Sequence, residues 1–187
     1  MYTPYNTVAT AEQALALLKQ GNERYLQNRF ADKGDYAKER DALADGQHPF
    51  AVILTCSDSR TPPEIFFDQK LGDLFTIRVA GNVAGPDCLG SIEYAVEHLK
   101  VPLVVVVGHS ACGAVIAAYR DADVHGDLKT VLDRIRPACQ GSMSEEDAIQ
   151  ANIRHTVEQI RNNTTVAHCQ TVVVGAHYDI RSGAVSW

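Results

Sequence analysis

Leu103-Val104-Val105-Val106-Val107-Gly108-His109-Ser110-Ala111-Cys112-Gly113 is the stretch that decides the fold. Its five leading apolar residues, four of them β-branched, describe a strand buried on both faces, the pattern of parallel sheets covered by helices. A tight turn follows, and a helix starting near Cys112 or Gly113 and running to Tyr119. Phe50-Ala51-Val52-Ile53-Leu54 is a second run of this kind and ends at Thr55-Cys56. Leu74 to Val79 and Val172 to Val174 supply two more strands. Helices are expected between them. Thr10-Ala11-Glu12-Gln13 reads as a capping box opening a helix over about 11–28. Pro62-Pro63-Glu64 opens a short one. Asp87 caps a helix reaching about Lys100, Leu128 to Ile135 forms another, and Ser144-Glu145-Glu146-Asp147 starts one that ends near Asn162. Asp32 to Gln47 is polar, a surface helix or loop. Asp179 to Val185 reads as a terminal hairpin or strand extension. The expectation is an α/β fold with a central, mainly parallel β-sheet flanked by helices. It forms one domain over 1–187, with an N-terminal helical arm over about 1–35.

The chain has 187 residues, a net charge of -6 and a pI near 5.6. That balance argues against nucleic acid or an anionic membrane as partner. The most apolar run, Leu103 to Val107, is far too short to cross a bilayer. Met1-Tyr2-Thr3-Pro4-Tyr5 lacks the basic and apolar regions of a signal peptide, so a cytoplasmic location is expected. The five cysteines are odd in number and widely scattered, unlike a disulfide scaffold. Cys88, Cys139 and Cys169 read as small buried hydrophobes.

Cys56, His109 and Cys112 are different. Sites in open α/β sheets form beyond the carboxyl ends of strands, and these three residues sit there. Two thiols and an imidazole are the ligand set of a zinc ion with its fourth position open. Two thiolates neutralise the dication, so a water on it should ionise less readily than one held by three histidines. Asp58 and Arg60 follow Cys56 by two and four residues. Asp58 could close the site as fourth ligand, or accept a hydrogen bond from the nucleophile. Arg60 decides between these roles, because a bidentate pair holds the carboxylate off the metal and ionised. The same residues could also make a structural zinc site without turnover, or buried cysteines without metal. A structural site, however, needs neither Asp58 nor Arg60.

Cys56-Ser57-Asp58-Ser59-Arg60 with Gly108-His109-Ser110-Ala111-Cys112-Gly113 resembles the β-class carbonic anhydrases. The resemblance continues through Gly90-Ser91-Ile92-Glu93-Tyr94-Ala95 and Val173 to Asp179. It implies that Cys56, His109 and Cys112 bind zinc, one ion per chain. It implies that Asp58 and Arg60 form the catalytic dyad, with Asp58 a possible fourth ligand in a closed state. The implied reaction is reversible hydration of carbon dioxide to bicarbonate and a proton, by attack of zinc-bound hydroxide. Gln47, Phe75 and Tyr94 match a glutamine and pocket aromatics of one branch of the family, so Gln47 could donate a hydrogen bond to a carbon dioxide or bicarbonate oxygen, and Phe75, Val83 and Tyr94 could form an apolar wall suited to a nonpolar gas. A few relatives use such a site on carbonyl sulfide or carbon disulfide. The implied partners are further copies of the chain, as a homodimer or dimer of dimers, with the N-terminal helix embracing the neighbour. Ile53 stands where another branch has the tryptophan of an inhibitory bicarbonate pocket, although Arg78 could still meet an anion.

Overall fold

The computed structural model describes residue 8 and residues 10–187. Most of the first ten residues of the expected arm therefore lie outside the described residues. In chain order the elements are α1 (Ala11–Leu26), α2 (Tyr36–Leu43), β1 (Ala51–Thr55), α3 (Pro63–Phe66) and β2 (Leu74–Arg78). A 3-10 turn at Ala80–Asn82 precedes α4 (Pro86–Glu97) and β3 (Leu103–His109). Then come α5 (Gly113–Tyr119), α6 (Leu128–Cys139), α7 (Glu145–Arg161), α8 (Thr164–His168), β4 (Val172–Tyr178) and β5 (Val185–Ser186).

The sheet order is β2-β1-β3-β4-β5. The first four strands are parallel, and β5 returns antiparallel along β4. Alternate residues of the central strands feed two cores. Val52, Leu54, Val104 and Val106 pack with buried residues of α4, α5, α6 and α7. Ala51, Ile53, Leu103, Val105 and Val107 pack with Ala14 and Leu18 of α1 and with Phe66 and Phe67. So α1 lies on the sheet of its own chain. Its capping box at Thr10 and Gln13 is formed. Gly21 lets it approach closely, because a Cβ there would sit 1.7 Å from the Phe67 carbonyl oxygen. Asn22 fastens it further: its amide donates to the Phe66 and Gly183 carbonyls, and its oxygen accepts from the Val185 N–H.

Helix α7 is seated just as closely on the other face. A Cβ on Gly108 of β3 or Gly175 of β4 would lie within 2.7 Å of Ile153, so this side chain occupies the space both glycines leave.

Several expectations are corrected. Gly85, not Asp87, is the N-cap of α4; Pro86 takes the first turn, and Asp87 sits inside it. Strand β3 runs on to include His109, and β4 extends to Tyr178. Helix α6 extends to Cys139, with Pro137 inside its last turn. Helix α8 was not expected; it is opened by Asn163, whose side chain accepts from the Thr165 and Val166 N–H groups. The polar segment after residue 32 contains the short helix α2, which buries no residue.

Candidate metal centre

Cys56 is the first residue beyond β1, and His109 is the last of β3. These strands are neighbours, with Thr55 opposite Val107. The turn after His109 passes through Ala111, whose φ of +55° tightens it, and delivers Cys112 as the N-cap of α5. All three residues are buried. Their donor atoms lie within 4.8 Å of one another, and the two sulfurs are 4.0 Å apart. Among the described residues this is the group of histidine, cysteine and acidic side chains that could hold a metal ion.

His109 Nδ1 lies 2.9 Å from the Ser110 carbonyl oxygen. A carbonyl only accepts, so Nδ1 carries the proton and Nε2 keeps its lone pair. Nε2 is buried without a hydrogen-bond partner. A buried imine nitrogen facing two thiols has the chemistry of a borderline metal's coordination shell, and Ser110 orients it as metal-bound histidines usually are. The two sulfurs lie within hydrogen-bonding reach of each other. Cys56 is held down to about 4, chiefly by the hydrogen bond from Cys112, against the opposing effect of burial. Cys112 is pushed up by that same bond and by burial. One proton therefore leaves easily and the other does not, until a cation displaces it.

Asp58 is turned toward Arg60. The guanidinium donates from Nε to Oδ1 at 2.9 Å and from Nη2 to Oδ2 at 2.7 Å, and the Arg60 backbone N–H adds a third bond to Oδ1 at 3.0 Å. Those bonds hold the carboxyl well below the usual carboxylate range. Oδ2 stands 4.0 Å from His109 Nε2, beside the donor group and outside it.

The loop carrying Cys56 and Asp58 is pinned from beneath. Arg78 donates to the Cys56 carbonyl at 3.0 Å and to the Asp58 carbonyl at 2.6 Å. It is thus engaged with protein, where the sequence left it able to meet an anion. The buried Thr61 hydroxyl shares its one proton between the same two carbonyls, 3.0 Å from that of Asp58 and 3.3 Å from that of Cys56. The Gly81 N–H donates to Cys56 Sγ at 3.4 Å. Sequence reading missed Thr61, Gly81 and the carbonyl-holding role of Arg78. It also missed Asn152, whose signal was an amide on the mostly apolar buried face of α7.

The four expected substrate contacts divide. Val83 is buried in the same apolar cluster as Cys56 and Cys112. Phe75 pairs in register with Val52, four residues before Cys56, or about 13 Å back along the strand. It packs against Tyr94, ring centroids 6.3 Å apart, and Tyr94 is 47% exposed. Gln47 is exposed and precedes β1, at the end opposite Cys56. One chain therefore does not gather Gln47, Phe75 and Tyr94 around the donor group.

The family profile described as carbonic anhydrase matches residues 51–185. The chain belongs to the carbonic anhydrase family. Carbonic anhydrase 2 of Mycobacterium tuberculosis is 38% identical over 180 residues, covering 89% of this chain and 87% of its own. Among solved structures, the β-carbonic anhydrase CafA of Aspergillus fumigatus superposes with a TM-score of 0.72 at 29% identity, covering 94% of this chain and 88% of its own. A Sordaria macrospora β-carbonic anhydrase, one of two described as tetrameric, has a TM-score of 0.71 at 29% identity and covers 81% and 87%. The family makes this chain an enzyme, a carbonic anhydrase, with the α/β architecture of the β class.

Proposed function

We propose that the chain catalyses reversible hydration of carbon dioxide to bicarbonate and a proton, with zinc held by Cys56, His109 and Cys112 and with Asp58 and Arg60 as the catalytic pair. The observation that carries this reading is the position of Asp58. Three donors converge within 4.8 Å, while the nearest carboxylate is claimed by Arg60 and leaves the fourth position open. A structural site would have no use for that arrangement. Zinc, when bound, supplies the Lewis acidity that makes a water nucleophilic near neutral pH.

The chain's own residues do the rest. Cys56 and Cys112 lower the net charge of the site, and Ser110 fixes the His109 tautomer that presents Nε2. Asp58 Oδ2 accepts the hydrogen bond of the attacking oxygen, so the proton points at the carboxylate and a lone pair points at the carbon of the substrate. Arg60 keeps that acceptor ionised and in place. Val83 offers an apolar wall suited to a nonpolar gas.

Phe75 and Tyr94 belong to a surface rather than to the chain's own pocket. Phe75 lies within β2 and Tyr94 on α4 beside it, and among the described residues β2 is an edge strand with no partner on its outer side. This supports self-association through that surface, as a homodimer or dimer of dimers, and so does the tetrameric state described for the Sordaria relatives. The chain works as one domain, and its free cysteines suit a reducing compartment, for which we propose the cytoplasm.

Asp58→Asn tests the pair. The variant keeps its zinc and loses about 10- to 100-fold in kcat/KM, the usual effect of removing a partner beside the ligands. Unchanged carbon dioxide turnover would remove Asp58 from the mechanism. Preference of the unaltered protein for carbonyl sulfide would replace the substrate.

A further inference from the structure

We infer that Asn152 of α7 is a positioning residue for the metal centre, acting through the Gly81 turn on the sulfur of Cys56. The inference rests on Cys56, His109 and Cys112 binding a metal and is independent of which substrate is turned over.

Asn152 is out of place by helix logic. It lies mid-helix among Ala148, Ile149, Ile153, Thr156, Val157 and Ile160, all buried, and is itself only 1% exposed. Asparagine is a mediocre helix former, and a buried amide needs partners. Its Nδ2 has one: it donates to the Gly81 carbonyl at 2.8 Å. Its Oδ1 is buried with no protein partner. Leucine would fill similar space without that desolvation cost, so the donor is what the amide contributes.

Gly81 is where that donor matters. Its φ of +67° places it in the left-handed region. A Cβ there would meet Ile135 at 2.5 Å. Its N–H is the group that donates to Cys56 Sγ, at 3.4 Å. The two polar groups of this one residue are therefore held from opposite sides, the N–H by the ligand sulfur and the C=O by Asn152. A hydrogen bond to a thiolate draws charge from it and fixes the direction of its lone pairs, so it tunes how the sulfur binds a metal. Helix α7 cannot slide to relax the bond, because Ile153 is locked between Gly108 and Gly175. Without the Asn152 donor, the Gly81 carbonyl loses its side-chain anchor; the turn that presents the Gly81 N–H is left with the bond from the Asn82 N–H to the Val79 carbonyl, and its hold on the sulfur loosens.

The test uses the metal-loaded protein. In Asn152→Leu and Asn152→Ala we expect zinc to pass to a chelator about 10- to 100-fold faster than from the unaltered protein. We also expect a shifted thiolate-to-metal charge-transfer band in the cobalt(II)-substituted form, with the circular dichroism unchanged. Thr156→Val, one turn along the same buried face, controls for replacing a buried polar side chain by an apolar one. The inference is overturned if either folded Asn152 variant keeps the normal band and release rate, or if Thr156→Val moves both as far. An unaltered protein that binds no metal would instead remove the reading beneath it. Metal bound without carbon dioxide turnover leaves the inference standing while the proposed reaction fails.

Discussion

Arg60 holds the Asp58 carboxylate turned away from the three donor atoms. With both carboxylate oxygens engaged and Oδ2 4.0 Å from His109 Nε2, a modest swing separates an open metal site from a closed one. Arg60→Ala therefore frees the aspartate to join the donor group. The expected outcome is full zinc content with kcat/KM down at least about 10- to 100-fold, measured by metal analysis beside carbon dioxide hydration. Near-normal turnover would mean that the guanidinium does not hold the site open. At this scale the sequence was informative wherever side chains do the chemistry. Cysteines and histidine at strand ends, and an acid and a base two residues apart, have few other uses. Thr61, Arg78 and Asn152 stayed hidden because they act on carbonyl oxygens, and a carbonyl looks the same in every residue.

At the scale of elements, two positions carry sharp expectations. Asp73, in the turn before β2, is buried, and burial pushes its carboxyl up to about 6 against the Lys70 N–H and the charges of Lys70 and Lys33, with Glu39 adding to the rise. The folded chain then keeps this proton to a higher pH than the unfolded chain, whose carboxyl titrates near 3.8. Asp73 thus favours the folded state below the unfolded value, and that benefit is lost as pH rises through about 6. Asp73→Asn can still accept from the Lys70 N–H. It should be more stable than the parent at neutral pH by an amount on the order of 1–3 kcal/mol, the gap narrowing toward pH 5, as read from urea unfolding. A gap that widens on acidification would reverse the sign. Gly21→Ala tests the seating of α1. With a Cβ 1.7 Å from the Phe67 carbonyl, the helix must lift, at a cost of about 1–3 kcal/mol or more. An unaltered urea midpoint would show that α1 is not held as described.

The elements themselves were largely legible, since apolar runs and caps mark strands and helix starts. The exceptions have causes. Gly175 and His177 break the apolar pattern of β4, yet the strand continues because Gly175 makes room for Ile153. Asp87 looked like a cap, but the Gly85-Pro86 pair starts the helix first. Helix α8 is only five residues long and offers no period to read.

The whole molecule presents the β2 edge and the Phe75–Tyr94 surface outward, and no single-chain sequence pattern says what meets them. Sedimentation should give a species of at least twice the 20.4 kDa chain mass. Tyr94→Glu should shift it toward the single chain, because a charge is costly at the centre of such an interface. A parent protein that sediments as one chain would contradict self-association. The fold and the donor group were readable because they depend on one chain, whereas Gln47, Phe75 and Tyr94 lie away from the donor group of their own chain, and a single sequence does not show which site they face.

The most direct test of the account is stopped-flow hydration of carbon dioxide at about pH 8.5, on protein carrying about one zinc per chain. The account predicts fast turnover that disappears together with the zinc in Cys56→Ser. Zinc-loaded protein that does not accelerate the reaction would contradict it.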